Sequence, residues 1–173
     1  MNELLDLRSK QWTLLILPHL FRDRLLIAAA RLAERGPVSV FDCGRQFDAS
    51  IVARAARGRT EIIDRIHVQR AFICFEVAKL LMQKPANHGP VLILDMLSTF
   101  YDENLQIHTR KFLLEGCLLN LERLSAGAGL AVTVSLPPKS SDSFPLFERL
   151  QSAAPQVLTY AMPAPESQQL SLF

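Results

Sequence analysis

Two aspartates stand where apolar runs end. Val91-Leu92-Ile93-Leu94 follows a Gly89-Pro90 break and stops on Asp95, and Val38-Ser39-Val40-Phe41 stops on Asp42. A run apolar on both faces reads as an inner strand of a parallel sheet, covered by helices on both sides. The acid then falls at the strand's carboxyl end, where open α/β sheets bind their ligands. An acid at such an exit, as Asp95 is, makes a nucleotide site the first possibility to test. The competing assignment is an ordinary buried strand with a capping aspartate at its exit.

No other constellation competes with this pair. Cys43, Cys74 and Cys117 are widely spaced and lack a C-x-x-C pair, which fits small buried residues of a reducing compartment better than disulfides or zinc ligands. His19, His67, His88 and His108 are scattered without metal-ligand spacing, so no metal site is expected. Ser98 and Ser135 lie at strand ends, but no G-x-S-x-G elbow surrounds either.

The surrounding sequence supplies elements to position the acids. Trp12–Leu17 is the first apolar run, stopped by Pro18. A helical pattern covers Phe21–Arg35 and ends at Gly36-Pro37. After Val38–Asp42, Ser50–Arg57 is helical up to Gly58, and Ile66–Val68 makes a short strand. Ala71, Phe75, Ala78 and Met82 recur at helical spacing and predict an amphipathic helix closed by Pro85. Arg110–Ser125 is a helix with Leu114, Leu118 and Leu121 on one side. Leu130–Val134 is a strand, Pro137–Ser143 a loop, Phe144–Ser152 a helix and Val157–Ala161 a last strand. Strands alternating with helices predict a three-layer α/β domain with a mainly parallel sheet over residues 1–162. Residues 163–173, rich in Pro, Ser and Gln, are expected to form an extended tail.

Composition is ordinary for a globular chain: 173 residues, 49% hydrophobic and 21% charged, which sets aside disordered and fibrous classes. A net charge of +2 does not by itself imply nucleic acid. Asp6, Arg8 and Lys10 precede any long apolar run, unlike a secretory signal, and no run reaches membrane-crossing length. The expectation is a soluble, cytoplasmic protein with no membrane partner.

The order of elements resembles the ATPase core of the RecA/RadA recombinase family. Val40-Phe41-Asp42-Cys43-Gly44-Arg45-Gln46-Phe47 is similar in spacing to the family's IDTEGTF segment. Ile66-His67-Val68-Gln69-Arg70-Ala71-Phe72 resembles NVxxARAF. Val91–Asp95 with Ser98 and Tyr101 resembles the second nucleotide motif, LLIVDSxxxLY, and Leu130–Ser135 sits where the family has AVVITNQ. The resemblance spans roughly Trp12 to Met162 and implies a RecA-like, P-loop NTPase-type fold. It does not extend to the chemistry. A phosphate loop needs glycines, a Lys and a Ser/Thr, whereas Leu17-Pro18-His19-Leu20-Phe21-Arg22-Asp23-Arg24 has no glycine and no Gly-Lys-Ser/Thr. Gly44 replaces the family's water-activating glutamate, and Ser135-Leu136 replaces its γ-phosphate sensor. Asp42 and Asp95 are then a vestigial nucleotide or metal position in a degenerate site, with no cofactor and no ATPase activity expected. Arg22 and Arg24 could hold another anion at the helix N-terminus, the competing assignment being that they are solvated or paired with Asp23 and Asp42 or Asp95.

Gln169-Leu170-Ser171-Leu172-Phe173 resembles the bacterial sliding-clamp-binding motif, Q-L-[S/D]-L-F, at every position. Leu172 and Phe173 would enter an apolar pocket, Leu170 would add a second contact, and the Gln169 amide would fix register. The alternative is an apolar cluster folded back on the domain. Both features together resemble the non-catalytic RecA-like partners of error-prone polymerases, the ImuA and SulA group. That resemblance implies an accessory protein of DNA repair or translesion synthesis, with a repair polymerase or RecA-like protein as a further partner. Two alternatives remain: an ATP-binding switch with an unusual phosphate site, and an SOS-type inhibitor acting by protein contact. Arg45, Arg54, Arg57 and Arg59 lie in the densest basic region and are candidate DNA-binding residues. The competing assignment for them is a solvated helix face. Lys139 is the sole cation of the Pro137–Ser143 loop, too little for a DNA contact there.

Overall fold

The run Val91–Leu94 becomes a strand whose four residues are all buried, and it lies third in a sheet of six. A computed structural model of the chain describes residues 10–18, 21–86, 88–137 and 142–160. The strands are β1 (Trp12–Ile16), β2 (Val38–Asp42), β3 (Ile66–Arg70), β4 (Val91–Leu94), β5 (Leu130–Val134) and β6 (Gln156–Thr159). They pair in parallel throughout, in the order β3-β2-β4-β5-β1-β6. The helices are α1 (Arg22–Ala33), α2 (Ala49–Ala55), α3 (Thr60–Asp64), α4 (Cys74–Gln83), α5 (Ile107–Ser125) and α6 (Phe144–Ala153), with a 3-10 turn over Met96–Tyr101.

Alternation along each strand divides the core in two. Trp12, Leu14, Phe41, Ile93 and Val132 share one cluster with residues of α4, α5 and α6. Leu15, Val38, Val40, Leu92 and Ala131 share the other with residues of α1, α2 and α3. Helix layers therefore cover both faces, which is why the inner strands lack polar alternation. The expected α/β class with a parallel sheet is what the chain forms.

Several local expectations need correction. The stripe Ala71, Phe75, Ala78, Met82 is not the buried one. Phe75 is 47% exposed and Met82 64%, while Cys74, Val77 and Leu81 are buried. The helix begins only at Cys74 and is apolar at most positions, so periodicity offers more than one stripe. Packing against α5 selects which one turns inward. Helix α2 stops at Ala55, because Arg57 already has a left-handed backbone (φ 53). The short α3 and the 3-10 turn after β4 are too brief to leave a periodic signal. Strand β3 runs on to Arg70 as a half-exposed edge. Residues 163–173, and with them the expected tail, lie outside the described residues, as does Lys139.

Arg110, read from the sequence as the first residue of its helix, lies one turn inside it and is 1% exposed. Its guanidinium donates to the Phe100 carbonyl at 3.1 Å, to Ser143 Oγ at 2.9 Å and to Asp142 at 2.7 Å. One buried cation thus ties α5 to the 3-10 turn and to the entry of α6.

The three cysteines are buried and unbridged. Burial pushes the Cys117 thiol from 9.0 up to about 12, with the neighbouring Cys74 adding to it. Cys43 is also raised, by burial first and then by the charge of Asp42. Each thiol holds its proton more tightly in the folded chain than in the unfolded one. Stability from this source is therefore fully present below the unfolded thiol value near 9, and is lost as pH rises towards 12. Thermal melts should hold steady up to about pH 9 and fall above it, while native thiols should react with an alkylating probe only through unfolding. A midpoint unchanged into the alkaline range would contradict this burial.

Candidate functional site

Strands β2 and β4 are neighbours, with Asp42 in register with Leu94, so Asp95 follows one residue beyond on the same edge. The two acids are thus brought to one edge. What each does there follows from its donors. The Asp42 side chain is fully buried and accepts from the backbone N–H of Gln46 at 2.7 Å and of Phe47 at 3.2 Å. Arg70, its register partner on β3, adds an ion pair at 3.4 Å. Asp42 therefore closes the turn that leaves β2 and supplies acceptors to otherwise orphaned amides.

Asp95 has a left-handed backbone, φ 51 and ψ 56. Aspartate enters this region more readily than most residues, at a cost of roughly 1–2 kcal/mol. The surroundings hold it there. Its N–H donates to Thr133 Oγ1 at 2.9 Å, its carboxylate accepts from the Ser135 N–H at 2.9 Å, and its carbonyl accepts from the Ser98 N–H at 3.1 Å. Ser98 Oγ in turn donates to the Cys43 carbonyl at 2.6 Å, and the Tyr101 hydroxyl to the Ser135 carbonyl at 3.1 Å. Burial raises the Tyr101 pKa, and the Asp95 charge adds to the effect. These bonds stitch the exits of β2, β4 and β5 together.

Gly44 sits inside this stitching. A Cβ placed there would lie 2.5 Å from the Asp95 Cβ and 2.8 Å from Asp95 Oδ2. Where the resembled family has a glutamate, this backbone has no room for any side chain while Asp95 keeps its position.

Among the described residues the remainder of this edge assembles no cradle for a magnesium-bound nucleotide. Between β1 and α1 the Phe21 N–H is already donated to the Pro18 carbonyl at 3.0 Å, and the sequence there has no glycine. Converging free N–H groups, which a phosphate cradle requires, are not assembled from Leu17, Pro18 and Phe21. Arg22 pairs with Asp23 at 3.4 Å, and Arg24 lies over the Phe21 ring at 5.1 Å. The expected pairing of these arginines with Asp42 or Asp95 is not formed. Arg70 takes that place on Asp42, because strand register brings it opposite. Among the described residues no group of three or more His, Cys, Asp or Glu side chains is placed to hold a metal ion.

The candidate DNA-binding arginines divide. Arg45, with a left-handed backbone (φ 54), lies over the Phe72 ring at 5.6 Å. Arg54, Arg57 and Arg59 line a groove against α1, joined by Arg31 and Arg35, which the linear sequence does not single out. The available signal was the i, i+4 spacing of Arg31 and Arg35, but nothing local shows that a second helix will lie beside it. The clamp-motif residues Gln169, Leu170, Ser171, Leu172 and Phe173 lie outside the described residues. No helix among the described residues is long and apolar enough to cross a membrane.

In comparison with known proteins, no family model matches the chain and no curated protein matches it.

Replacing Gly44 with alanine forces the Asp95 anchor to shift. Gly44→Ala should lower unfolding stability by about 1–3 kcal/mol in urea titrations. Gly44→Glu should cost more than Gly44→Ala. Full stability in Gly44→Ala would mean that Asp95 moves freely and is not an anchor.

Proposed function

We propose that the chain is a non-catalytic RecA-like accessory protein of DNA repair or translesion synthesis, recruited to the bacterial sliding clamp by Gln169–Phe173. The observation that carries this reading is the complete match of that pentapeptide, QLSLF, to the clamp-binding pattern. The chemistry of the peptide suits the role. Two adjacent large apolar side chains, Leu172 and Phe173, can each contribute about 1.5–3 kcal/mol when buried in a partner's pocket. Gln169 and Ser171 are polar where a purely self-packing cluster would favour apolar residues.

The RecA-like part of the reading draws support from the parallel sheet and from acids at the exits of two adjacent strands. Its non-catalytic character draws support from the bonds those acids make. Asp42 and Asp95 serve backbone amides of Gln46, Phe47 and Ser135, Gly44 has no room for a water-activating carboxylate, and the sequence between β1 and α1 has no glycine and no Gly-Lys-Ser/Thr. On this reading Asp42 and Asp95 are remnants of a metal position that now secure the loops, and a clamp-bound repair polymerase or RecA-like protein is the further partner.

The full chain should bind a purified bacterial sliding clamp in surface plasmon resonance, and deletion of Leu172-Phe173 should abolish the signal. Unchanged affinity after the deletion would sink the clamp assignment. Titration with labelled ATP and magnesium should give no saturable binding. Saturable binding would restore a nucleotide-dependent switch.

A further inference from the structure

A groove of about 800 Å³ runs between α1 and the segment that leaves α2. Five arginines line it: Arg31 from the last turn of α1, Arg35 just past that helix, and Arg54, Arg57 and Arg59 from α2 and the turn beyond it. All five are exposed. Opposing them in the lining are Asp23 and Glu34. Five cations against two anions leave a local excess of three, in a chain whose whole net charge is +2. A local excess larger than the net charge of the whole chain therefore lies in one concave place.

The two acids neutralise only one of the five arginines. Glu34 pairs with Arg59, and Asp23 pairs with Arg22, which does not line the groove. Among the described residues no carboxylate forms an ion pair with Arg31, Arg35, Arg54 or Arg57. Helix ends account for part of the arrangement, since Arg31 and Arg54 lie in the last turns of α1 and α2, where a cation suits the helix dipole. They do not account for Arg35, Arg57 and Arg59, which lie past those helices. Arg57 and Gly58 take consecutive left-handed conformations, φ 53 and φ 74, in the turn that presents the last of these side chains.

We infer that this groove is a binding site for the sugar-phosphate backbone of duplex nucleic acid. Guanidinium groups recognise phosphate oxygens through paired donors and remain charged at every physiological pH. The charges come from the end of α1, from α2 and from the turn beyond it, five guanidiniums in one groove, enough to meet more than one phosphate. A site for one small phosphate compound would converge on a single point. The rest of the lining is Ile27, Ile51 and Ala55, with no aromatic ring among them. Single-strand binders rely on such rings to stack bases, so this groove is equipped to hold a backbone and not to read bases. Its contacts carry no sequence information.

The groove reaches Asp23 in the first turn of α1, but its arginines lie away from the edge occupied by Asp42 and Asp95. Helix α1 runs back from the carboxyl edge towards the start of β2, and Arg31 and Arg35 lie at its far end. The inference stands without the clamp reading, because it uses no residue of the tail.

The test uses the full chain and a labelled duplex oligonucleotide longer than two helical turns, followed by fluorescence anisotropy across a salt series. The combined variant Arg31→Gln, Arg35→Gln, Arg54→Gln should bind at least about tenfold more weakly at low salt. Its plot of log affinity against log salt should be shallower by about 0.9 for each phosphate that the variant no longer neutralises. Arg149→Gln, a surface arginine paired with Glu115 elsewhere, should bind as the unaltered chain does. Circular dichroism and thermal melts confirm that both variants are folded. Absence of duplex binding by the unaltered chain, or equal affinity and salt slope in the combined variant, would overturn the inference. So would tighter binding of a single strand than of the duplex. Competition by polyglutamate at equal charge as effective as by unlabelled duplex would assign the groove to an acidic protein partner instead.

Discussion

A parallel sheet has to be covered on both faces, and the rest of this molecule follows from that requirement. Its strands cannot alternate polar and apolar residues, because neither face meets water. Val91–Leu94 at the centre satisfies the condition with four buried aliphatic residues. The chain between strands must cross from one edge to the other, and helices on both sides do so while burying an apolar stripe each. The consequence is two cores, one under α4, α5 and α6 and one under α1, α2 and α3. All strand exits then lie on one edge.

At that edge the polypeptide must turn abruptly, and buried amides need acceptors. Asp42 and Asp95 provide them. A carboxylate that accepts N–H bonds from the next turn, as Asp42 does from Gln46 and Phe47, fixes the direction in which the chain leaves the sheet. Asp95 does the same between strands, joining β4 to β5 through Ser135 and Thr133. The contact of Asp95 with Gly44 makes this arrangement exclusive, since the space beside it holds no further side chain. Residues typical of a nucleotide site are present, yet their donors give them structural work.

Surface chemistry is distributed differently. The arginine groove sits towards the opposite edge, on a helix layer whose inner side is apolar and whose outer side is free to carry charge. Arg110 shows the contrasting use of the same residue type. Held inside by Phe100, Ser143 and Asp142, it organises loops and meets no solvent. Burial and partner choice, not residue type, separate an arginine left to solvent from one that braces.

Much of the fold was legible in the linear chain. Strands were readable at Trp12, Val38, Val91 and Leu130 because continuous apolar runs between breakers have few alternatives. Both edge acids were readable because they end such runs. Element ends, the short α3 and the buried stripe of α4 were not legible, since helix ends depend on backbone turns and α4 is apolar on more than one side. What the amino-acid sequence determined by itself was the alternation of elements, the two aspartates and the pentapeptide Gln169–Phe173. Tertiary structure alone decided that Arg70 faces Asp42, that Asp95 closes the space at Gly44 and that five arginines from separate segments share one groove. The physical reason is that periodicity and breakers act over a few neighbouring residues. Register, packing and charge proximity join residues far apart in the chain, and those are set only when the sheet and its helices assemble.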